Sequence, residues 1–504
     1  MGYLSTLCLS VVCILVAYYA IKIQHRRSLK RTNGCEPANQ YPHKDPFFGL
    51  DLFFQTGKLF KENRYLPELV RRYGHYGSTF ETKSFGSMAI NSIRPENLQT
   101  VWVSKFKDWG VEPVRLPAQN PFCGRGFITM DGPRWEHSRA LLKPSFNKAN
   151  MTDLSVFEGY VKMVVDQIPK DGSTVDLQPL FFNLYLDTAT LFLFGESFNS
   201  LAGGMSTDAQ KFLEAFDYAM FGSGFQIALG PLKFLYRDPK WHESCKTTHK
   251  FADKYVDKAL EYRQTLQSTK RNSLEPGDRQ QRHILLHGMA EQTNDKMELR
   301  NQILQALVAA QETTAVLISN VFFLLSRHPL VWQRLRKEII ALGDSVLDVD
   351  TLQNLRYLRN VLNETLRLYP VFPQMNRVAL AETTLPVGGG HDGDSPLYVP
   401  KGTMFDTSFY VLHRLQSIWG PEADRFDPDR WDTFKPHTWE FLPFGGGPRG
   451  CAGRLKATTE ASYVVVRMLQ EFSQIESRDP QPWTGQVQLT AKNANGCKVA
   501  LTPV

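Results

Sequence analysis

The chain has 504 residues, 42% hydrophobic and 22% charged, which supplies a large core and excludes a globally disordered chain, a collagen-like repeat or a small disulfide scaffold. Its seven cysteines are odd in number and include no C-x-x-C pair, so neither a zinc site nor a dithiol redox motif is indicated. Lysine and arginine outnumber aspartate and glutamate by 58 to 51, a net charge of +7, yet Lys22, Arg26, Arg27, Lys30 and Arg31 carry five of those charges in one short segment. The remaining body is near neutral and lacks the cationic stripe of a nucleic-acid surface.

That basic segment follows an apolar run, Tyr3 to Ile23, uncharged until Lys22 and about 20 residues long, enough to span a bilayer. No acid appears until Glu36, so the positive-inside rule keeps the body cytosolic. A cleaved signal would carry its charge before the apolar run and a small-residue site after it; Ile21-Lys22-Ile23 offers none. Residues 1–31 are therefore expected to be an uncleaved transmembrane anchor. Met1-Gly2 with Thr6 also fits a myristoylation pattern, which a spanning helix makes redundant. Residues 32–52, with Pro37, Pro42 and Pro46, read as a stiff hinge, and residues 53–504 as one catalytic domain. Asn150-Met151-Thr152 is a formal glycosylation sequon on the cytosolic side.

Strand-like sequence begins at Ser78 to Asn91. Aromatic residues then crowd Phe212 to Tyr236, interrupted by Gly222, Gly224 and Gly230, as either a mobile lid over an apolar cavity or a core-packing helix pair. The strongest helical period runs from Lys296 to Arg327, through Ile303, Leu304, Leu307, Val308, Val316, Leu317, Val321, Leu324 and Leu325, and stops at His328-Pro329. A helix of that length reaches about 48 Å and crosses a whole domain. Further helices are expected over Leu330 to Leu342, Leu355 to Leu368 and Cys451 to Phe472, and further strands over Thr383 to Val399 and Val487 to Leu501. The fold class is mainly α with small β-sheets.

Four constellations can carry chemistry. In Phe444-Gly-Gly-Gly-Pro-Arg-Gly-Cys451-Ala-Gly453, Gly445, Gly447 and Gly450 match G-x-G-x-x-G literally, but Pro443 and Pro448 break the strand–turn–helix context a dinucleotide site needs. What the stretch presents is one cysteine at the expected start of a helix, whose free N–H groups and dipole favour a thiolate, a ligand for haem iron. The alternative is a buried free thiol beside a glycine turn. Arg449 stands two residues away and can pair with a carboxylate of the same cofactor.

Glu364 and Arg367 are spaced i, i+3 and can pair, with Arg430 in the Phe426-Asp-Pro-Asp-Arg-Trp431 loop as a third charge; buried together, the three would form a structural lock. Glu312, Thr313 and Thr314 interrupt the apolar face of the long helix. They are either back-bonded to the helix or a polar notch in a dry cavity, with Thr313 steadying a water or oxygen and Glu312 relaying protons. Trp135 and Arg139, one helical turn apart, are natural donors to a propionate or else an interfacial Trp beside a surface Arg.

In this order and spacing the motifs resemble the cytochrome P450 family of haem-thiolate monooxygenases over essentially the whole body. F-x-x-G-x-R-x-C-x-G is met at Phe444, Gly447, Arg449, Cys451 and Gly453, and E-x-x-R at Glu364 and Arg367. The oxygen-activation motif is met at Glu312, Thr313 and Thr314, W-x-x-x-R at Trp135 and Arg139, and the arginine partner of E-x-x-R at Arg430. The resemblance implies a P450 fold behind a membrane helix and haem b with Cys451 as axial ligand to the iron. It implies propionate contacts from Trp135, Arg139, Arg377 and Arg449, and insertion of one atom of O2 into a C–H bond, with electrons from an NADPH-dependent P450 reductase at the endoplasmic reticulum. Thr383 to Gly393, Phe426 to Trp431 and Trp439 to Phe444 look like the fungal subfamily that hydroxylates alkanes and fatty acids; secondary-metabolite enzymes carry the same signature. Ala310 departs from the family's usual Gly, and Gly450 and Ala452 are smaller than the usual neighbours of the cysteine. The competing readings are a haem-thiolate isomerase or dehydratase needing no reductase, and a non-catalytic haem-binding membrane protein.

Overall fold

The computed structural model describes residues 2–148, 154–272, 283–343 and 345–504, with the side chains of residues 2–12 and 269–272 excepted. The Asn150 sequon lies outside the described residues. Where the sequence suggested one body, the contacts divide the chain into two compact units: Met1–Leu52 with Val70–Gly110 and Asn376–Thr407, and Phe53–Leu69 with Val111–Met375 and Ser408–Val504.

The first unit is built on β-structure. A sheet runs in the order Asn39–Gln40, Thr79–Ser84, Ser87–Ser92, Met404–Ser408, Gln374–Ala379 and Trp109–Gly110. Alternation puts Phe405 on the inner face, where it meets Trp102 and Trp109 edge to face at 5.9 and 5.6 Å. The strands Gln374–Ala379 and Met404–Ser408 escaped the sequence reading. Thr383–Gly389 and Ser395–Val399 form the hairpin that Gly388 to Gly390 had signalled.

The amino-terminal helix, Gly2–Thr32, continues through the basic flank. Its apolar side chains from Ile14 to Ile23 are exposed, whereas its basic end is tied down. Arg26 donates to Glu382 at 2.8 Å, and Lys30 lies 5.2 Å over the Tyr398 ring. The segment expected to be a hinge is also hydrogen-bonded: the Glu36 amide donates to the Pro396 carbonyl at 2.9 Å, and Asn39–Gln40 pairs in parallel with Phe80–Glu81.

The second unit is mostly helical and holds two apolar cores. One packs Leu177–Phe194, Arg356–Leu368 and Arg454–Glu471 around Thr313–Leu325. The other packs Thr207–Leu229 and Pro239–Asn272 around Lys296–Ala310. The long helix expected over Lys296 to Arg327 is thus two helices, interrupted at Gln311 and Glu312, and the interruption falls where one core ends and the other begins. Thr459 to Val466, Met468 and Leu469 of the late helix are buried, but it starts at Arg454, three residues after Cys451. The aromatic segment is an α-helix, Thr207–Leu229, followed by a 3-10 turn, Gly230–Leu235: Phe212 and Phe216 are buried, while Phe221, Phe225 and Phe234 are exposed. Gly222 is required there, because a Cβ would lie 2.3 Å from the Trp241 ring.

Glu364 and Arg367 have no exposed surface. The guanidinium grips both carboxylate oxygens, at 2.8 and 2.7 Å, and spends its remaining donors on the carbonyls of His413, Ala423 and Arg425 at 2.8, 2.6 and 3.1 Å. Glu364 also accepts from the Asp427 amide and the Trp431 indole, both at 3.0 Å. Arg430 approaches Glu364 at 3.5 Å but donates to the Trp419 and Glu422 carbonyls at 2.7 and 2.9 Å, so it braces the loop beside the pair. The indole was not foreseen.

His413 carries the lock onward: its Nε2 accepts from the Leu442 amide at 3.0 Å, just before the cysteine loop. Burial, reinforced by Arg367 and Arg414, drives its imidazole down to about 3. Between the unfolded value of 6.5 and about 3, the unfolded chain binds a proton that the native chain refuses, so stability falls as pH drops through that window. The His413→Gln variant is expected to lose up to about 1.4 kcal/mol per pH unit of that dependence. Urea midpoints measured against pH check this; identical slopes in both proteins would contradict it.

Candidate active site

The loop before the Arg454–Glu471 helix is shaped by two glycines in the left-handed region, Gly445 at φ 68 and Gly447 at φ 64. The Cys451 amide donates back to the Phe444 carbonyl at 3.0 Å and closes the loop. The Phe444 ring is half-buried, with the Arg454 guanidinium 5.6 Å over it. Cys451 is solvent-accessible yet crowded by protein on most sides, as a residue lining a deep recess would be. Burial pushes the thiol up, while the Gly453 N–H, Arg139 and Arg454 pull it down. The cysteine therefore precedes the helix instead of starting it, and burial outweighs the local dipoles. Such a thiol loses its proton readily to a coordinated metal, which supplies the missing positive charge.

Around it stand more cations than anions. Arg139, on the Gly132–Leu142 helix with Trp135, donates to the Gly450 carbonyl at 2.6 Å. Arg449 donates to the Met130 carbonyl and to Asp131, both at 2.6 Å, and its guanidinium lies 4.5 Å over the Trp135 ring. Its Nε is buried with no partner among the described residues. Arg115 donates to the Ile128 carbonyl at 3.2 Å. Asp131 accepts from the Val111 and Glu112 amides at 2.9 and 2.7 Å, and Glu112 accepts from the Asp131 amide at 3.0 Å. Burial lowers all three arginines, Arg449 to about 10, where Arg115 and Arg139 push the same way and Asp131 opposes. Three guanidiniums facing two engaged carboxylates, with one donor orphaned, suit a ligand that brings its own carboxylates. The donor set fits haem, with a thiolate for iron and guanidiniums for the propionates.

The second constellation is the helix interruption. Glu312 sits at φ −130 and ψ −13, off the helical backbone. The Thr313 hydroxyl donates to the Ala309 carbonyl at 3.0 Å, so the back-bonded reading of Thr313 is what its geometry shows. Glu312 accepts from the Thr490 hydroxyl at 2.8 Å, and Gln311 donates to Asp217 at 3.1 Å. Burial pushes the Asp217 carboxyl up; the Gln311 amide pulls it down and the Glu312 charge pushes it up again. Ala309 is exposed although Asn301 to Val308 before it are buried, so the interruption is accessible to solvent.

Cys451, Arg449, Arg139, Trp135 and Phe444 are thus brought together, and Glu312 and Thr313 form a second cluster. Arg377 belongs to the other unit, where its guanidinium lies 4.8 Å over Trp102 and donates to the Asn376 carbonyl at 2.7 Å. Arg115, Asp131, Asp217 and Thr490 went unnoticed in the sequence. Only Asp217, an acid within an aromatic run, left a signal there.

The family model for cytochrome P450 matches residues 40–497. The chain belongs to the cytochrome P450 family. The cytochrome P450 monooxygenase himC of Aspergillus japonicus is 40% identical over 98% of this chain and 88% of its own length. The cytochrome P450 monooxygenase fsdH of Fusarium heterosporum is 38% identical over 99% and 90%. Cytochrome P450 52A13 of Debaryomyces hansenii is 35% identical over 99% and 98%. The protein is accordingly a P450 monooxygenase, an oxidoreductase of a family that works with haem iron, O2, a redox partner and hydrophobic substrates.

Replacing Arg449 by Leu removes two charge-assisted donors and leaves Asp131 with its backbone donors alone. Transfer of haem from the holoprotein to excess apomyoglobin is expected to speed up about 10- to 100-fold. An unchanged rate would remove Arg449 from the cofactor site.

Proposed function

We propose that this P450 oxidises C–H bonds of a hydrophobic substrate bearing an alkyl skeleton, a fatty acid or a polyketide-like intermediate of secondary metabolism, with electrons from an NADPH-dependent reductase. The observation that carries this reading is the interrupted helix, where an acid, Glu312, and a hydroxyl, Thr313, follow each other in the chain at the seam between two apolar cores. Haem, held by Cys451 through iron and by Trp135, Arg139 and Arg449 through its propionates, would supply the reductive activation of oxygen.

The chain's own groups then divide the remaining work. Glu312, hydrogen-bonded by the Thr490 hydroxyl, keeps a proton-exchanging group beside Thr313 in the chain, where the reaction consumes protons. The apolar cores on either side keep bulk water away. An isomerase or dehydratase would have no use for that relay. Preference for an alkyl chain is supported by the motifs shared with the fungal alkane and fatty-acid hydroxylases and by the exposed Phe221 and Phe225.

Apolar exposure from Ile14 to Ile23, followed by Lys22 to Arg31, supports a single-pass anchor in the endoplasmic reticulum membrane with the catalytic part cytosolic. The helical stretch Lys296–Leu325 is also long and apolar enough to cross a membrane, but its most apolar part is 72% buried, as in a core helix.

Turnover with NADPH, a P450 reductase, 18O2 and a panel of fatty acids, alkanes and polyketides is expected to give one labelled oxygen per hydroxylated product. Products formed without NADPH, or without label, would favour the isomerase reading. The Thr313→Ala variant is expected to consume NADPH while making about ten-fold less product per NADPH, in line with general acid–base contributions. Unchanged coupling would contradict the assigned role.

A further inference from the structure

Three buried amides, Asn301, Gln302 and Gln305, line one face of the Lys296–Ala310 helix, well before the interruption. The loop after Cys123 is moulded onto them. Gly124 has φ 63, and a Cβ there would lie 2.3 Å from the Asn301 side chain; a Cβ on Gly126 would lie 2.7 Å from Gln305.

Gln305 is saturated. Its Nε2 donates to the Cys123 and Gly124 carbonyls and the Thr129 hydroxyl at 3.1, 3.0 and 3.2 Å, and its Oε1 accepts from the Ile128 amide at 2.7 Å. Gln302, equally buried, is not: its Oε1 accepts from the Phe127 amide at 3.4 Å, and its Nε2 has no partner among the described residues. The same loop ends in the groups that hold the cofactor-site arginines. Ile128, whose amide is bound by Gln305, offers its carbonyl to Arg115, and the Met130 carbonyl takes Arg449.

We propose that Gln305 is a positioning residue for the haem carboxylates: by fixing the loop from Gly124 to Met130 it sets the carbonyls that orient Arg115 and Arg449. It touches no reacting atom and acts through those two arginines. The inference rests on the reading that the arginines hold the propionates.

Haem transfer from the holoprotein to excess apomyoglobin tests it. Q305L is expected to accelerate transfer about ten-fold, the equivalent of one unsatisfied buried hydrogen bond, while Q302L, with the same burial and side-chain volume, changes it less than about two-fold. In an R115L/R449L background Q305L is expected to add less than about two-fold, because its route to the cofactor is already cut. If Q305L does not accumulate in folded form, Q305E, which keeps the acceptor for the Ile128 amide and loses the donors, is expected to accelerate transfer about three-fold. Equal effects of the Gln302 and Gln305 substitutions, or effects of Gln305 that multiply with those of the arginines, would overturn the inference. Normal transfer in R115L/R449L alone would instead overturn the reading of the arginines.

Discussion

Glu364 and Arg367 are two opposite charges without water, and much of the second unit is arranged so that neither is left alone. Removing a carboxylate from beside a buried guanidinium costs about 3–5 kcal/mol, a large share of a domain's stability, because the surviving charge stays desolvated. The pair therefore dictates its surroundings: three backbone carbonyls, one backbone amide and the Trp431 indole converge on it. Through the His413 carbonyl on one side and the His413 ring on the other, the constraint reaches Leu442, and from Leu442 the chain runs directly into the loop that presents Cys451. The glycine-rich loop that carries Cys451 is thus tied to a polar lock.

The helix that passes between the two apolar cores is interrupted. A helix passing through two apolar cores has nowhere to place an acid except at the seam between them, and there Glu312 leaves the helical backbone and Thr313 spends its hydroxyl on the ladder. The polar cluster that results, with Gln311, Asp217 and Thr490, sits at the transition from one core to the other. That geometry seats charge at the break, and in the proposed reading it keeps an exchangeable proton there.

What the sequence disclosed follows from this physics. Features set by local covalent pattern were legible: the Cys451 loop with its glycines, the i, i+3 pairing of Glu364 with Arg367, the helix stop at His328-Pro329, and the Gly388 to Gly390 turn. Features created when distant segments meet were not. Arg115 and Asp131 are ordinary charges until they face Arg449, and Thr490 is an ordinary hydroxyl until it meets Glu312. The apolar period from Lys296 to Arg327 concealed the interruption, because the repeat continues in register on both sides of it. Cys451 was expected at a helix start, where dipoles would favour the thiolate; it precedes the helix, and burial raises the thiol instead.

The claim on which the account turns is that Cys451 binds haem iron as a thiolate, and the spectrum of the reduced, CO-bound protein tests it most directly. The account predicts the strongly red-shifted Soret band of a thiolate–CO complex in the wild type and its loss in Cys451→Ala. Absence of that band from the wild type, or its survival in the variant, would contradict it.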